Sequence, residues 1–202
     1  MITLMKIGPY NSIKKGLTKY ESIKLLTLNK FDTEIDQEQM KKYIQHDKFF
    51  LKFDCIVVSK FNRAQSTLKY LLDNDLLKNN IVIKSSSNLD EILFDSGLLC
   101  TEKEYTRFGS NIIRKRFLDF FVNDNLTETL EQIKSRIDNL EKDLNVLDRK
   151  YKNILCISHT FFIKLVLIYK KNRNLFSEPH IIKNNINPNK RIMEFCEINN
   201  IF

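Results

Sequence analysis

The stretch FDCIVVSKFNRAQSTLKYL, Phe53 to Leu71, decides how the rest of the chain is read. Its first half lies within Leu51 to Ser59, a segment with the dense apolar and β-branched content of a strand buried on both faces. Its second half starts near Arg63 and places Ala64, Leu68 and Leu71, with Leu72 just beyond, on one helical face. A buried strand that runs directly into an amphipathic helix is half of a β-α-β unit, so the expected class is α/β.

The same alternation extends in both directions. Ile2 to Ile7 reads as a first strand that breaks at Gly8-Pro9, and Asn11 to Lys30 is mixed and polar, a loop with some helix. Thr33 to His46 predicts a helix with Thr33 as its cap. Ile81 to Lys84 predicts a short strand, Phe108 to Phe121 a helix, Asn153 to Ser158 a buried strand, and Thr160 onward a mostly buried helix. Arg191 to Ile198 predicts the last strand. Strands that alternate with helices imply a mostly parallel central sheet flanked by helices on both faces. At 202 residues the expectation is a single domain over the whole chain, 1–202.

Between Leu126 and Leu147 the apolar positions Leu126, Leu130, Ile133, Ile137, Leu140, Leu144 and Leu147 step by four and three, and Asn125 with Glu128 predicts a capping box. A long helix lying on a sheet needs such a stripe, and so does a coiled-coil seam. The second reading would make the chain a homodimer that associates through this helix.

Composition narrows the classes. With 4 glycines, 3 prolines and 29% charged residues the chain is neither fibrous nor disordered. A net charge of +8 favours anionic partners. No basic run is interleaved with aromatic residues, so nucleic acid is not the expected partner. Cys55, Cys100, Cys156 and Cys196 are far apart and only 3 histidines could join them, which disfavours a metal site and suggests reduced thiols in a cytoplasmic protein. The longest apolar run, Phe161 to Tyr169, is interrupted by Lys164, so neither a membrane span nor a secretion signal is expected.

In a largely parallel sheet, ligands bind beyond the carboxyl ends of the strands. The strands deliver Lys6-Ile7-Gly8, Ser59 followed by Arg63, Glu91, and Ser158-His159 to that edge. A lysine, an arginine, a histidine and a carboxylate together suit a phosphoryl group, since arginine grips two oxygens at once and lysine adds a point charge. Each also has a plainer role open to it: Arg63 as a surface residue, His159 as a core histidine or cap, Glu91 as a partner of a helix N-terminus.

These segments resemble the histidine phosphatase superfamily, the phosphoglycerate mutase-like proteins. Asp54, Ser59, Arg63, Ala64 and Thr67 match its signature of a strand with a terminal serine leading to Arg-Ala-x-x-Thr. Leu89, Glu91 and Gly97 are similar to the segment that supplies the family's acid, and Ile154 to Leu167 to its strand ending in Ser-His. Thr33, Gln39 and Met40 resemble a helix near its start. The resemblance implies a phosphoglycerate mutase-like fold and a phosphate cradle of Lys6, Arg63 and His159. In the family's first signature, Arg-His-Gly, the histidine is the nucleophile; the matching residues here are Lys6-Ile7-Gly8, and Thr160 replaces a usual glycine. Covalent catalysis needs a lone pair, which isoleucine lacks. The expectation is therefore a pseudophosphatase that binds a phosphorylated small molecule or phosphoprotein without cofactor. The alternatives are a weak phosphomonoesterase in which Glu91 or His159 activates water, and a scaffold that self-associates through the long helix. His46 and His180 have no sequence claim on the nucleophile's place.

Overall fold

The structure, a computed structural model, describes residues 1–44 and 47–201. His46 therefore lies outside the described residues. Its elements run β1 (Ile2–Lys6), α1 (Lys19–Thr27), α2 (Gln37–Tyr43), α3 (Asp47–Phe50), β2 (Cys55–Val58), α4 (Asn62–Asp73), β3 (Val82–Ser85), α5 (Ser96–Leu99), α6 (Glu102–Phe108), α7 (Ser110–Val122), α8 (Leu130–Asp148), β4 (Ile154–Ser158), α9 (Thr160–Lys171), α10 (Ile181–Asn185) and β5 (Ile198–Asn200), with a short 3-10 turn at Ser87–Leu89 after β3.

The strands form one sheet in the order β3-β2-β4-β1-β5. The pairs β3·β2, β2·β4 and β4·β1 are parallel, and β5 alone runs antiparallel, on β1. The sheet is therefore mostly parallel, with helices on both faces. Because side chains alternate along a strand, β1 sends Ile2 and Leu4 into one apolar cluster and Met5 and the following Ile7 into another. The first cluster is closed by Ile113 and Phe117 of α7, Ile133 and Ile137 of α8, and Phe162 of α9; the second by Met40 of α2 and Ala64, Leu68 and Leu71 of α4.

The stripe of α8 takes the helix-on-sheet arrangement, and four other expectations need correction. The stripe of α8 is consumed by the sheet: Ile133, Ile137, Leu140 and Leu144 are at most 1% exposed, and Leu130 packs on the same cluster. The same positions are therefore not free to form the alternative coiled-coil seam. The capping box of α8 is Thr129 with Gln132 rather than Asn125 with Glu128, and Glu128 instead pairs with Arg136 at 2.9 Å. The cap of α2 is Asp36, three residues beyond Thr33, with its carboxylate 3.0 Å from the Gln39 N–H. Finally, the last strand begins at Ile198, because β5 pairs only Ile198–Asn200 with Met5, Leu4 and Thr3. The expected Phe108–Phe121 helix is broken at Gly109, whose φ of +61° is a conformation glycine adopts without strain.

No helix among the described residues is long and apolar enough to cross a membrane.

Candidate active site

The carboxyl ends of β1, β2 and β4 surround a cavity of about 280 Å³. Lys6, Arg63, Glu91, His159 and Thr160 all line it, so the residues expected at the sheet edge do converge. Pairing of Lys6 with Ser158 across β1 and β4 sets the lysine beside the strand end that leads to His159.

Lys6 is 5% exposed. Its Nζ donates to the Met193 carbonyl at 2.8 Å and sits 4.4 Å from the Phe195 ring centroid. Burial, reinforced by Arg191, lowers its pKa to about 8, so at neutral pH the ammonium is mostly retained. Ile7 goes elsewhere. It is 2% exposed in the opposite cluster with Met5, Ile35 and Met40 and does not line the cavity. The expectation that β1 presents Ile7 to the site is thereby corrected: strand alternation turns it to the other face of the sheet.

Arg63 is fixed from several sides. Its Nη1 pairs with Asp32 Oδ1 at 2.7 Å with both side chains largely buried, and its guanidinium lies 4.7 Å from the Phe61 ring centroid. The other Asp32 oxygen accepts the Asn62 N–H, supplying the start of α4 with the acceptor that Phe61 lacks. Thr67 explains the Arg-Ala-x-x-Thr spacing. One helical turn after Arg63, its hydroxyl donates to the Arg63 carbonyl at 2.7 Å and accepts the Gly8 N–H at 3.1 Å, tying α4 to the end of β1. On its other side Gly8 packs against α2, where a Cβ would meet Met40 Sδ at 2.4 Å and force that side chain to shift.

Glu91 proves to be a helix-terminus partner as well as a cavity wall. One carboxylate oxygen accepts the N–H groups of Phe162 at 2.9 Å and Ile92 at 3.0 Å, and the other accepts that of Phe161 at 3.2 Å. The positive end of α9 is therefore already matched by a side chain. Burial raises the Glu91 pKa, opposed by these N–H groups and by Arg63.

His159 is 1% exposed. Its Nε2 lies 2.8 Å from Ser59 Oγ, its ring is 5.2 Å from that of Phe61, and its Nδ1 is buried without a partner. Burial, with Arg63, Arg136 and Lys6 nearby, pushes its pKa well below the ordinary value, so the ring is neutral.

Other lining residues escaped the sequence reading: Arg114 from α7, and Arg191, Met193 and Phe195 from the segment before β5. Arg114 Nε donates to the Pro188 carbonyl at 3.0 Å, and Arg191 pairs with Glu194 at 2.7 Å while covering the Phe195 ring at 4.4 Å. Arg191, Ile192, Met193 and Phe195 all reach the cavity, so no strand-like alternation marked them in the sequence. Lys6, Arg63, Arg114 and Arg191 thus surround a cavity whose one lining carboxylate among the described residues is Glu91. Among the described residues no group of His, Cys, Asp and Glu is placed to hold a metal ion.

A cationic cavity at the carboxyl edge of this sheet, with Arg63 on one strand exit and His159 on another, can be set beside known families. The family model for the histidine phosphatase superfamily (branch 1) matches residues 33–184. The chain belongs to the histidine phosphatase superfamily. The match begins after Lys6-Ile7-Gly8, so it takes in the Arg63 and His159 segments but not β1.

Solved members of the histidine phosphatase fold superpose over most of the chain. Mycobacterial glucosyl-3-phosphoglycerate phosphatase in complex with VO3 aligns with a TM-score of 0.61 at 13% identity, covering 98% of this chain and 88% of that one. Phosphoserine phosphatase from Entamoeba histolytica, in complex with 3-phosphoglyceric acid, gives 0.59 at 17% identity over 98% and 87% of the two chains. Alpha-ribazole phosphatase from Shigella flexneri gives 0.57 at 16% identity over 87% and 83%. At such identities the likeness concerns the fold. No curated protein sequence matches the chain significantly.

Proposed function

We propose that this protein binds a phosphate ester, carried by a small molecule or a phosphoprotein, in the cavity of Lys6, Arg63 and His159, and lacks phosphohistidine chemistry. The observation that carries the reading is the division at the end of β1: Lys6 enters the cavity, whereas Ile7 is buried on the other face. Arg63 and Lys6 supply fixed positive charge in a site largely shielded from water, where such charge is weakly screened. Arg114 and Arg191, which also line the cavity, add to the positive field and favour encounter with anions. The superfamily's solved members named above include phosphatases, and one is bound to VO3, which supports an oxyanion as the ligand class.

The second reading is a weak phosphomonoesterase, and one observation favours it: His159 lines the cavity, is neutral, and has an unpartnered Nδ1. A free imidazole lone pair can take a proton from attacking water. Glu91 is a poorer base, since its oxygens already receive the N–H groups of α9.

Hydrolysis of p-nitrophenyl phosphate separates the two readings. The binding protein shows no turnover and no acid-labile phosphoryl-enzyme. Turnover that survives purification and disappears in His159→Ala establishes the esterase instead.

A further inference from the structure

We propose that Ser59 and Asp90 are positioning residues that hold His159 in its Nε2–H tautomer, so that Nδ1 meets the ligand as a hydrogen-bond acceptor and selects an oxyanion that carries a proton. The inference deepens the phosphate-binding reading and rests on it for the identity of the ligand, though not for the tautomer.

The argument is an accounting of protons. Ser59 Oγ lies 2.7 Å from Asp90 Oδ1, and the same carboxylate oxygen accepts the Lys60 N–H at 2.8 Å. A carboxylate only accepts, so the one hydroxyl proton of Ser59 points to Asp90. The Phe61 N–H also approaches Ser59 Oγ, at 3.2 Å, as a donor. Toward His159 Nε2, at 2.8 Å, Ser59 Oγ therefore has only a lone pair to offer. The ring must donate there. A neutral histidine has one ring proton, which leaves Nδ1 bare, and Nδ1 is the buried atom without a partner.

The surroundings keep the ring in that state. Lys6 of β1, Arg63 of α4 and Arg136 of α8 all disfavour a second proton, and burial disfavours it further. Asp90 opposes them but reaches the imidazole only through Ser59. Glu91 has its oxygens turned to the N–H groups of α9 and of Ile92. Orphaned buried acceptors are costly, and a ligand proton would relieve this one.

The consequence is a preference among tetrahedral anions. Sulfate and the dianion of a phosphate ester would set an oxygen lone pair against the Nδ1 lone pair, whereas a singly ionised ester, or inorganic phosphate as either H2PO4− or HPO4(2−), can donate to it. A site built to pair with a ligand O–H rejects the analogue that lacks it.

Two measurements on the full chain test this. Long-range 15N–1H correlation spectra of uniformly labelled protein, without ligand, report which nitrogen of His159 is protonated; His159→Gln assigns the signals. The expected result is a protonated Nε2 and a bare Nδ1 in the wild type, with that pattern lost or averaged in Ser59→Ala and weakened in Asp90→Asn. A protonated Nδ1 or an imidazolium in the wild type at neutral pH overturns the assignment, whatever the variants do. Calorimetric titration with inorganic phosphate and with sulfate near pH 6 tests the selectivity. Phosphate should bind at least about tenfold more tightly than sulfate, a ratio that collapses in Ser59→Ala. Equal affinities overturn the selectivity. Binding of neither anion refutes the phosphate-binding reading, while the spectra still decide the tautomer.

Discussion

Removal of Asp32 offers a measurable test of how Arg63 is held. The Arg63 and Asp32 side chains are 4% and 14% exposed, with 2.7 Å between Nη1 and Oδ1. Asp32→Ala strands a buried guanidinium, and loss of one partner of a buried pair costs about 3–5 kcal/mol. Arg63 lines the cavity, where solvent can partly compensate, which favours the lower end, about 3 kcal/mol. Asp32 also receives the Asn62 N–H at the start of α4, a helix-capping contribution of about 1 kcal/mol. The sum is about 4 kcal/mol, or about 8–16 °C in Tm at about 2–4 °C per kcal/mol for a chain of this size. Urea titration and calorimetry measure both quantities. Replacing both partners, Asp32→Ala with Arg63→Met, should restore much of the loss, because the stranded charge is gone. Phosphate should raise the Tm of Asp32→Ala more than that of the wild type, since an anion can then occupy the vacated partner's place. A loss below about 1 kcal/mol for Asp32→Ala, the range of exposed ion pairs, refutes the reasoning.

Two further outcomes follow from β1. Lys6 titrates near 8 in the folded chain against 10.5 unfolded, so between those values the unfolded state binds more protons and stability rises with pH. Lys6 alone contributes an increase of about 3 kcal/mol across that window, and phosphate affinity should fall as pH passes 8; denaturant titrations and calorimetry of Lys6→Met against wild type isolate both effects. Ile7→His should fail to create a phosphatase. The imidazole would enter the cluster of Met5, Ile35 and Met40 rather than the cavity, costing about 1–3 kcal/mol for an unpaired buried group, read as a lower Tm without p-nitrophenyl phosphate turnover. Turnover in that variant would mean that the end of β1 can rotate into the site.

Much of the fold was legible because local pattern and global arrangement agree. Cys55–Val58 and Ile154–Ser158 are apolar runs that end in the residues they deliver, and Arg63-Ala64-x-x-Thr67 fixes a helix start whose geometry Gly8 and Thr67 complete. The illegible parts depend on contacts between segments distant in sequence. Asp32 pairs with a residue 31 positions away, and Asp90 reaches Ser59 across the same interval. Arg114 and Arg191 come to the cavity because α7 and the segment before β5 both border it. That segment approaches the end of β1, where the Glu197 carbonyl accepts the Lys6 N–H at 3.0 Å, but the strand ladder itself covers only Ile198–Asn200. Ile7 shows a different limit: matching it to a signature position says nothing of which face of the sheet its side chain takes, and one residue of offset decides that.

The central claim, a cavity built to hold a phosphoryl group by Lys6 and Arg63, is tested most directly by calorimetric titration of the wild type, Lys6→Met and Arg63→Met with inorganic phosphate at neutral pH. The account predicts saturable binding at a single site by the wild type, weakened at least about tenfold in each folded variant, since charge-assisted hydrogen bonds contribute about 1.5–3 kcal/mol. Phosphate binding of equal strength in all three proteins would contradict it.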